Sequence, residues 1–182
     1  MCNRLIFILL IVMVNICHGQ TKETIKPAPT EKKKSVSLGI NIPVGNFSAT
    51  HIAGFAAEYS PAQNWLGKLN AKKIVFTYNG GIAYYFGKKE IVSNYPYKYP
   101  GYTFIHAFGG LLYNPFKKTG ISLTAGPALG IYNGNLQFNM GTKLEASYNV
   151  STSIAIGPGI LLIKEPGANA LWSLAIRAGI KL

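Results

Sequence analysis

The segment Ala170–Leu182, ALWSLAIRAGIKL, decides the fold because its side chains alternate strictly between two faces. The apolar parity consists of Ala170, Trp172, Leu174, Ile176, Ala178, Ile180 and Leu182. The other parity begins with Leu171 and otherwise holds small or polar residues, including Arg177 and Lys181. A period of two predicts a β-strand. Because the alternation continues to the last residue, we expect this strand to close a sheet on itself.

The same period recurs along most of the chain. Predicted strands cover about residues 35–43, 51–60, 73–86, 102–113, 121–132, 136–148, 151–163 and 170–182. Gly, Pro and Asn mark the links between them, and most links are short, which is the pattern of an antiparallel meander. No ten-residue stretch has a helical stripe. The sequence therefore predicts an all-β fold, a closed antiparallel up-and-down transmembrane barrel, with eight strands.

Two features depart from simple alternation. Pro127 and Pro158 lie inside predicted strands, where each removes a ladder hydrogen bond, so we expect a β-bulge at both positions. The segment YTFIHAFGGLLY, residues 102–113, is apolar on both parities, so the sequence alone does not determine which of its faces points outward.

The N-terminal residues MCNRLIFILLIVMVNICHGQ have the charged start, short apolar run and small residues of a signal peptide. We expect cleavage after residue 19, which removes Cys2 and Cys17, the two cysteines of the chain. Residues 20–34 are rich in lysine and proline and predict a flexible basic leader. Residues 35–182 then form the barrel.

Composition separates two barrels that share this alternation. A soluble, lipocalin-like cup would carry many charges on its outer face, whereas a membrane barrel places its apolar face against lipid. Charged residues are only 13% of the chain, about half the soluble average. The second face is mostly Gly, Ala, Ser, Thr and Asn, which suit a narrow interior. The membrane barrel is favoured, and a secreted soluble barrel is the alternative.

Aromatic residues support the membrane interpretation because they gather at both ends of the predicted strands, as interfacial belts do. With a periplasmic N-terminus, the outer belt would contain Tyr84, Phe86, Tyr95, Tyr97, Tyr99, Tyr102, Phe104 and Trp172. The inner belt would contain Tyr59, Trp65, Tyr113, Phe116 and Tyr148.

Four charges lie well inside predicted strands, and all four share the second face: Glu58, Lys143, Glu145 and Arg177. A Lys or Arg facing lipid at the midplane would cost about 2–4 kcal/mol, so these charges should face the lumen. We predict a buried charge network that plugs the barrel, in preference to an ion or proton path, because an eight-stranded lumen is narrow.

The sequence offers no recognisable reaction centre. His51 and His106 lie near the outer ends of predicted strands, and an outer-rim hydrolase could pair them with Ser48, Thr50 or Thr103. Such a site needs a carboxylate to orient the base, and Glu90 is the acid near that rim. We therefore interpret the histidines as interfacial, and predict no catalytic, cofactor or metal site.

The chain resembles the small outer-membrane β-barrel domain proteins of Gram-negative bacteria, the porin-like eight-stranded type. The resemblance rests on the signal peptide, on SLGINIPVGNFS at residues 37–48, on TAGPALGIY at residues 124–132 and on LAIRAGIKL at the end. It implies a place in the outer membrane, contact with outer-membrane lipid and lipopolysaccharide, and insertion by the barrel-assembly machinery. Leu182 departs from the aromatic final residue that many members carry.

The function predicted from the sequence is a non-enzymatic envelope protein with a structural or surface-binding role. The loop from Gly87 to Gly101 contains NYPYKYPG, and its Tyr95, Tyr97, Lys98 and Tyr99 form the predicted contact surface for an extracellular glycan or protein. A lipid-modifying hydrolase and a small-solute channel are the alternatives. The chain has 18 Lys and Arg against 6 acidic residues, but the lysines lie in termini and turns without a nucleic-acid-binding stripe, so no nucleic-acid partner is predicted.

Overall fold

A computed structural model of the chain describes residues 34–61, 74–92, 94–167 and 169–182. The predicted signal peptide, the leader before Lys34 and the predicted belt residue Trp65 lie outside these ranges. In the described ranges, no helix is long and apolar enough to cross a bilayer.

The described elements are almost entirely strands. In chain order they are β1 (Ser35–Val44), α1 (Phe47–Thr50), β2 (His51–Ser60), β3 (Ile74–Gly87), β4 (Lys89–Val92), β5 (Tyr95–Lys98), β6 (Tyr102–Phe116), β7 (Thr119–Tyr132), β8 (Asn135–Asn149), β9 (Ile154–Lys164) and β10 (Leu171–Lys181). The single helical turn α1 lies in the link between the first two predicted strands, where the sequence showed no helical pattern.

The strands close into an antiparallel barrel in the order β1-β10-β9-β8-β7-β6-β3-β2, and β2 pairs with β1. Closure is made by β10, which pairs with β1 from Ser35↔Lys181 to Val44↔Trp172. The predicted eight-stranded barrel is thus confirmed, and so is the role of the last strand in closing it. The remaining strands, β4 and β5, form a separate two-stranded ribbon.

The barrel has two distinct ends. The end that contains Ser35 and Lys181 is called the termini end, and the end that contains α1 and the β4–β5 ribbon is called the loop end. These two names do not depend on the orientation of the barrel in a membrane.

A soluble barrel has apolar side chains inside and polar side chains outside, and this barrel has the reverse arrangement. Outward side chains are large and apolar, with Leu38 and Ile176 exposing 65% and 66% of their surface. Inward side chains include Asn41 and Arg177, which expose 0% and 3%. A soluble monomer rarely exposes so large a continuous apolar surface to water. The lipocalin-like alternative, with its apolar face inside, is therefore wrong.

The predicted bulges at the two strand prolines are wrong. Pro127 pairs with Met140, and Pro158 pairs with Ile176, without any shift of register. A proline removes one N–H donor but adds no residue, so a strand can accept it without a bulge. The register shifts instead between Tyr113 and Phe116 in β6, and near His51 in β2.

Candidate functional site

The lumen brings together the four charges that the sequence assigned to it. Lys143 Nζ lies 2.5 Å from Glu58 Oε2 and 3.1 Å from Glu145 Oε2. Arg177 Nη1 contacts Glu58 Oε1, and Arg177 Nε lies 3.6 Å from Glu145 Oε2. Each cation therefore contacts both carboxylates, so the cluster is neutral apart from any charge on its neighbours. Charges removed from water need such pairing to be tolerated.

His106 joins this cluster, which the sequence did not predict. Its Nε2 lies 3.2 Å from Glu58 Oε1, and the residue is 4% exposed. The interfacial interpretation of His106 is therefore wrong. Strand β6 is apolar on both parities, so its facing could not be read from alternation. The available signal was His106 itself, because an imidazole is costly against acyl chains and should select the lumen.

Glycines make room for the long charged side chains. Gly81 is paired with Glu58, and a Cβ at Gly81 would lie 2.6 Å from Glu58 Cγ. Gly39 is paired with Arg177, and a Cβ there would lie 2.9 Å from Arg177 Cγ. Both contacts are too close for a side chain. At these positions the inner face therefore carries glycine because a larger residue would occupy the space of the charged side chains.

An aromatic layer fills the lumen at the loop end. Phe47, from α1, packs its ring 4.8 Å from Tyr85 and 4.7 Å from His51. Tyr102 and Phe104 stack at 4.2 Å within the same layer. All five residues are at most 5% exposed. The predicted placement of Tyr102 and Phe104 in the lipid-facing belt is wrong, because β6 turns its even-numbered residues from Tyr102 to Phe108 inward.

Polar contacts anchor this aromatic layer to the barrel wall. Asn41 Nδ2 donates to the Tyr85 hydroxyl at 3.1 Å, and that hydroxyl lies 2.9 Å from Ser173 Oγ. The Tyr102 hydroxyl donates to Glu165 in the link between β9 and β10. A buried tyrosine hydroxyl needs such partners. The lumen is therefore occupied at two levels, by the aromatic layer and by the charge cluster.

A hydroxyl and an imidazole meet at the loop end, but not as the outer-rim hydrolase requires. Thr50 Oγ1 lies 2.8 Å from His51 Nδ1. Within the described residues, His51 has no ion pair with a carboxylate, and His106 points into the lumen towards Glu58. The described ranges also hold no group of three or more His, Cys, Asp or Glu side chains that could bind a metal ion.

The predicted contact loop is an ordered two-stranded ribbon, separate from the barrel sheet, that keeps the register of β3 and β6. β4 pairs with β5 from Lys89↔Lys98 to Val92↔Tyr95, in the register that already joins β3 to β6. The Tyr99 amide donates to the Lys88 carbonyl at 2.9 Å, which bridges the two ladders. The Lys88 amide donates to the Thr50 carbonyl at 2.8 Å, so the base of the ribbon is also tied to α1.

The ribbon divides the predicted contact residues between two faces. Side chains alternate along a strand, so Tyr95, Tyr97 and Tyr99 share one face and Lys98 lies on the other. The tyrosine face is exposed at its tip, where Tyr95 exposes 76% of its surface. Tyr97 and Tyr99 contact edge to face at 5.0 Å. The four residues therefore do not form one continuous surface.

The fold is shared with solved outer-membrane barrels. Ail, the attachment invasion locus protein of Yersinia pestis, matches with a TM-score of 0.53 and 12% identity, over 84% of this chain and 99% of Ail. The outer membrane enzyme PagL matches with a TM-score of 0.52 and 12% identity, over 80% of this chain and 98% of PagL. A designed transmembrane β-barrel matches with a TM-score of 0.52 and 14% identity, over 88% of this chain and all of the design.

These comparisons define the fold and leave the role open. The chain has the closed eight-stranded antiparallel barrel of small outer-membrane proteins. No protein-family model and no curated protein sequence matches it. The similar structures include both an attachment protein and an enzyme, so the role must be argued from the residues of this chain.

Proposed function

We propose that this protein is a non-enzymatic outer-membrane barrel that does not conduct solutes and presents the β4–β5 ribbon to a ligand outside the cell. The observation that carries the proposal is the contrast between a filled lumen and a projecting ribbon. Phe47 and the charge cluster occupy the interior, whereas Ile91 and Tyr95 in the ribbon expose 78% and 76% of their surface. A binding surface is therefore available outside the barrel and not within it.

The outward face supports a place in the outer membrane. Along the barrel strands, described outward positions are uncharged except Lys164, the last residue of β9 at the loop end. Aromatic residues mark both rims: Tyr84, Phe86 and Trp172 at the loop end, and Tyr59 and Tyr113 at the termini end. A lipid-facing apolar band between two aromatic girdles is typical of outer-membrane barrels. We place the loop end outside the cell and the termini end in the periplasm.

Cysteine labelling in intact cells tests location and orientation together. The cysteines in the sequence are Cys2 and Cys17, both within the predicted signal peptide, so a new cysteine would be the only thiol of the mature chain. Ile91→Cys lies in the ribbon, and Val150→Cys is the matched control in an exposed turn at the termini end. We expect a membrane-impermeant maleimide to label Ile91→Cys in cells and Val150→Cys only after lysis. The reverse pattern, or recovery of the protein outside the outer-membrane fraction, would contradict the proposal.

A channel function predicts a different measurement. A filled lumen should give no discrete conductance in planar bilayers, whereas a small-solute channel would show steps. Phe47→Ala is the positive control: it removes a ring from the aromatic layer and should raise the conductance above that of the wild-type barrel. Stepwise conductance by the wild-type protein would favour the channel.

A lipid-modifying enzyme is the other alternative, and the Thr50–His51 contact identifies the residues to change. We expect the wild-type protein to release no fatty acid from phospholipid or lipid A vesicles above an empty-vesicle background. Release that is lost in His51→Ala, but kept in a variant of the opposite end such as Lys118→Gln, would replace the proposed role with an enzymatic one.

A further inference from the structure

The tyrosine face of the ribbon lies at the mouth of the barrel. Tyr97 and Tyr99 are both within electrostatic reach of Tyr132, the last residue of β7. Tyr132 in turn stacks on Tyr102 of the aromatic layer, with ring centroids 5.3 Å apart. The base of the ribbon is tied to α1 by a backbone hydrogen bond. The tyrosine face is therefore turned towards the opening that the aromatic layer fills.

The rings of this face are partly open to solvent. Tyr97 exposes 47% of its surface, and Tyr99 is half-buried. Their rings meet edge to face, with centroids 5.0 Å apart and planes at 88°. Two perpendicular rings form a corner, so an apolar surface that packs against one ring is also confined by the other. Solvent-exposed tyrosine rings have apolar area to bury on binding, and tyrosine is enriched at interfaces for that reason.

A carboxylate lies beside these rings. Glu90 is exposed and is paired directly with Tyr97, so the two side chains share a face of the ribbon. No ion pair joins Glu90 to another residue in the part of the chain that the structure describes. An ionised carboxylate has two oxygens that only accept hydrogen bonds. Glu90 therefore suits a ligand that offers two neighbouring donors.

Charge and size limit the ligand that this face can bind. Glu90 disfavours an anion, and its neighbours Lys89 and Lys98 disfavour a cation, so an uncharged ligand fits best. Strands of four residues make a ribbon about 13 Å long and about 10 Å wide. Such a face is much smaller than the roughly 800 Å² that each partner buries in a specific protein interface. It is comparable in size to a disaccharide.

We propose that Tyr97, Tyr99 and Glu90 bind the uncharged pyranose rings of an extracellular glycan, with Tyr132 completing the site at the barrel mouth. The inference rests on the proposed function, which places the ribbon outside the cell, and it specifies the ligand class and the residues. The C–H face of a pyranose ring packs against an aromatic ring. Two adjacent hydroxyls of the sugar donate to the two oxygens of Glu90. A sugar combines an apolar face with several donors, which a lipid chain does not.

A panel of immobilised oligosaccharides tests the site, with the purified barrel held in neutral phosphatidylcholine nanodiscs. The panel contains uncharged oligomers of glucose, galactose, mannose and N-acetylglucosamine, and sialylated and sulfated oligosaccharides for comparison. We expect retention on at least one uncharged oligomer. Because no charge on the ligand is involved, that retention should change little with salt concentration. The affinity for the retained oligomer is then measured by calorimetry for the wild-type barrel and its variants.

The variants separate the tyrosine face from the ribbon as a whole. Tyr97→Ala should weaken binding about tenfold because it removes one ring of the corner, whereas Tyr97→Phe keeps the ring and should stay within about threefold. Glu90→Gln should weaken binding about fivefold, because a charge-assisted hydrogen bond is stronger than a neutral one. Ile91→Ala is the matched control: Ile91 is 78% exposed on the opposite face, and its loss should leave the affinity unchanged. Wild-type heat-modifiable mobility verifies that each variant is folded.

Two results would overturn the saccharide site. One is a lack of retention on every uncharged oligomer, including retention on the anionic ones alone. The other is an equal loss of affinity in Tyr97→Ala and Ile91→Ala, which would mean that the order of the ribbon, and not its tyrosine face, determines binding. Labelling of Ile91→Cys on intact cells distinguishes this failure from that of the proposed function. If labelling persists, only the saccharide site is rejected, and if it is absent, the external position of the ribbon is rejected as well.

Discussion

Replacing Arg177 with methionine tests whether the lumenal charges stabilise the barrel as a unit. Arg177 is 3% exposed, contacts Glu58 and lies 3.6 Å from Glu145. Methionine keeps most of the volume but leaves two carboxylates with one lysine. Breaking a buried ion pair typically costs about 3–5 kcal/mol. Because Lys143 and His106 remain beside Glu58, we expect the lower limit, about 3 kcal/mol.

The assay is urea unfolding of the refolded barrel in detergent micelles, followed by heat-modifiable gel mobility. With urea m-values of about 1–3 kcal/mol/M, a loss of about 3 kcal/mol lowers the midpoint by about 1–3 M. Lys181→Met is the matched control: Lys181 lies at the termini end, where its Nζ donates to Asn149 Oδ1 at 2.5 Å, and its partial exposure should limit the loss to about 1 kcal/mol or less.

A double-mutant cycle distinguishes lost pairing from lost packing. Glu58→Gln/Arg177→Met should be more stable than the sum of the two single losses predicts, because the double variant leaves no unpaired carboxylate at position 58. An unchanged midpoint for Arg177→Met would refute the cluster as a source of stability. Equal losses for Arg177→Met and Lys181→Met would show that position in the lumen has no special effect.

Three further outcomes are expected from the same unfolding assay or from membrane insertion. Gly81→Ala should cost about 1–3 kcal/mol of stability, because its Cβ would lie 2.6 Å from Glu58 Cγ. Gly80→Ala should be nearly neutral, because the nearest neighbour of its Cβ lies at 3.6 Å. Equal effects of the two changes would contradict the close packing at Gly81. Phe47→Ala should cost about 3 kcal/mol, since it removes a fully buried ring from the aromatic layer; a smaller loss than 1 kcal/mol would mean that α1 does not stabilise the barrel. Ile176→Lys should cost about 2–4 kcal/mol and lower the inserted fraction, because position 176 faces lipid; full insertion at wild-type stability would contradict that facing.

Alternation predicted most of the barrel because inside and outside impose opposite chemistries on each strand. In β10, Trp172 and Ile176 face out and Arg177 faces in, as the period of two predicted. Strand β6 defeats the same reasoning. Its inward residues Tyr102 and Phe104 are as apolar as its outward ones, because the lumen at the loop end is filled by rings. Where the interior is itself apolar, both faces of a strand are apolar, and alternation no longer shows which face points inward.

The ribbon shows a second limit of sequence reasoning. Glycine, proline and lysine in residues 87–101 favour a loop, yet β4 and β5 pair in the register inherited from β3 and β6. Hydrogen-bonded and non-hydrogen-bonded pairs alternate along an antiparallel ladder. The Tyr99 amide donates to the Lys88 carbonyl, so Ile91↔Pro96, three positions further along, is a pair without mutual hydrogen bonds, and Pro96 needs no N–H there. The tertiary context that aligns the two strands is set by the barrel below, and local propensity does not contain it.

The four strand charges of the cluster were predictable from the sequence, but the membership of His106 and the packing around the cluster were not. Parity alone placed Glu58, Lys143 and Arg177 in the lumen, since lipid would reject them. Their mutual contacts depend on which strands are neighbours and on how far the register slants around the barrel, and only the closed structure determines both. The glycines opposite Glu58 and Arg177 follow from that geometry, because a side chain there would occupy the space of the ion pairs. In this lumen, long charged side chains pack directly opposite glycines, which have no side chain. An added methyl group at Gly81 should therefore destabilise the barrel more than one at Gly80, which faces outward.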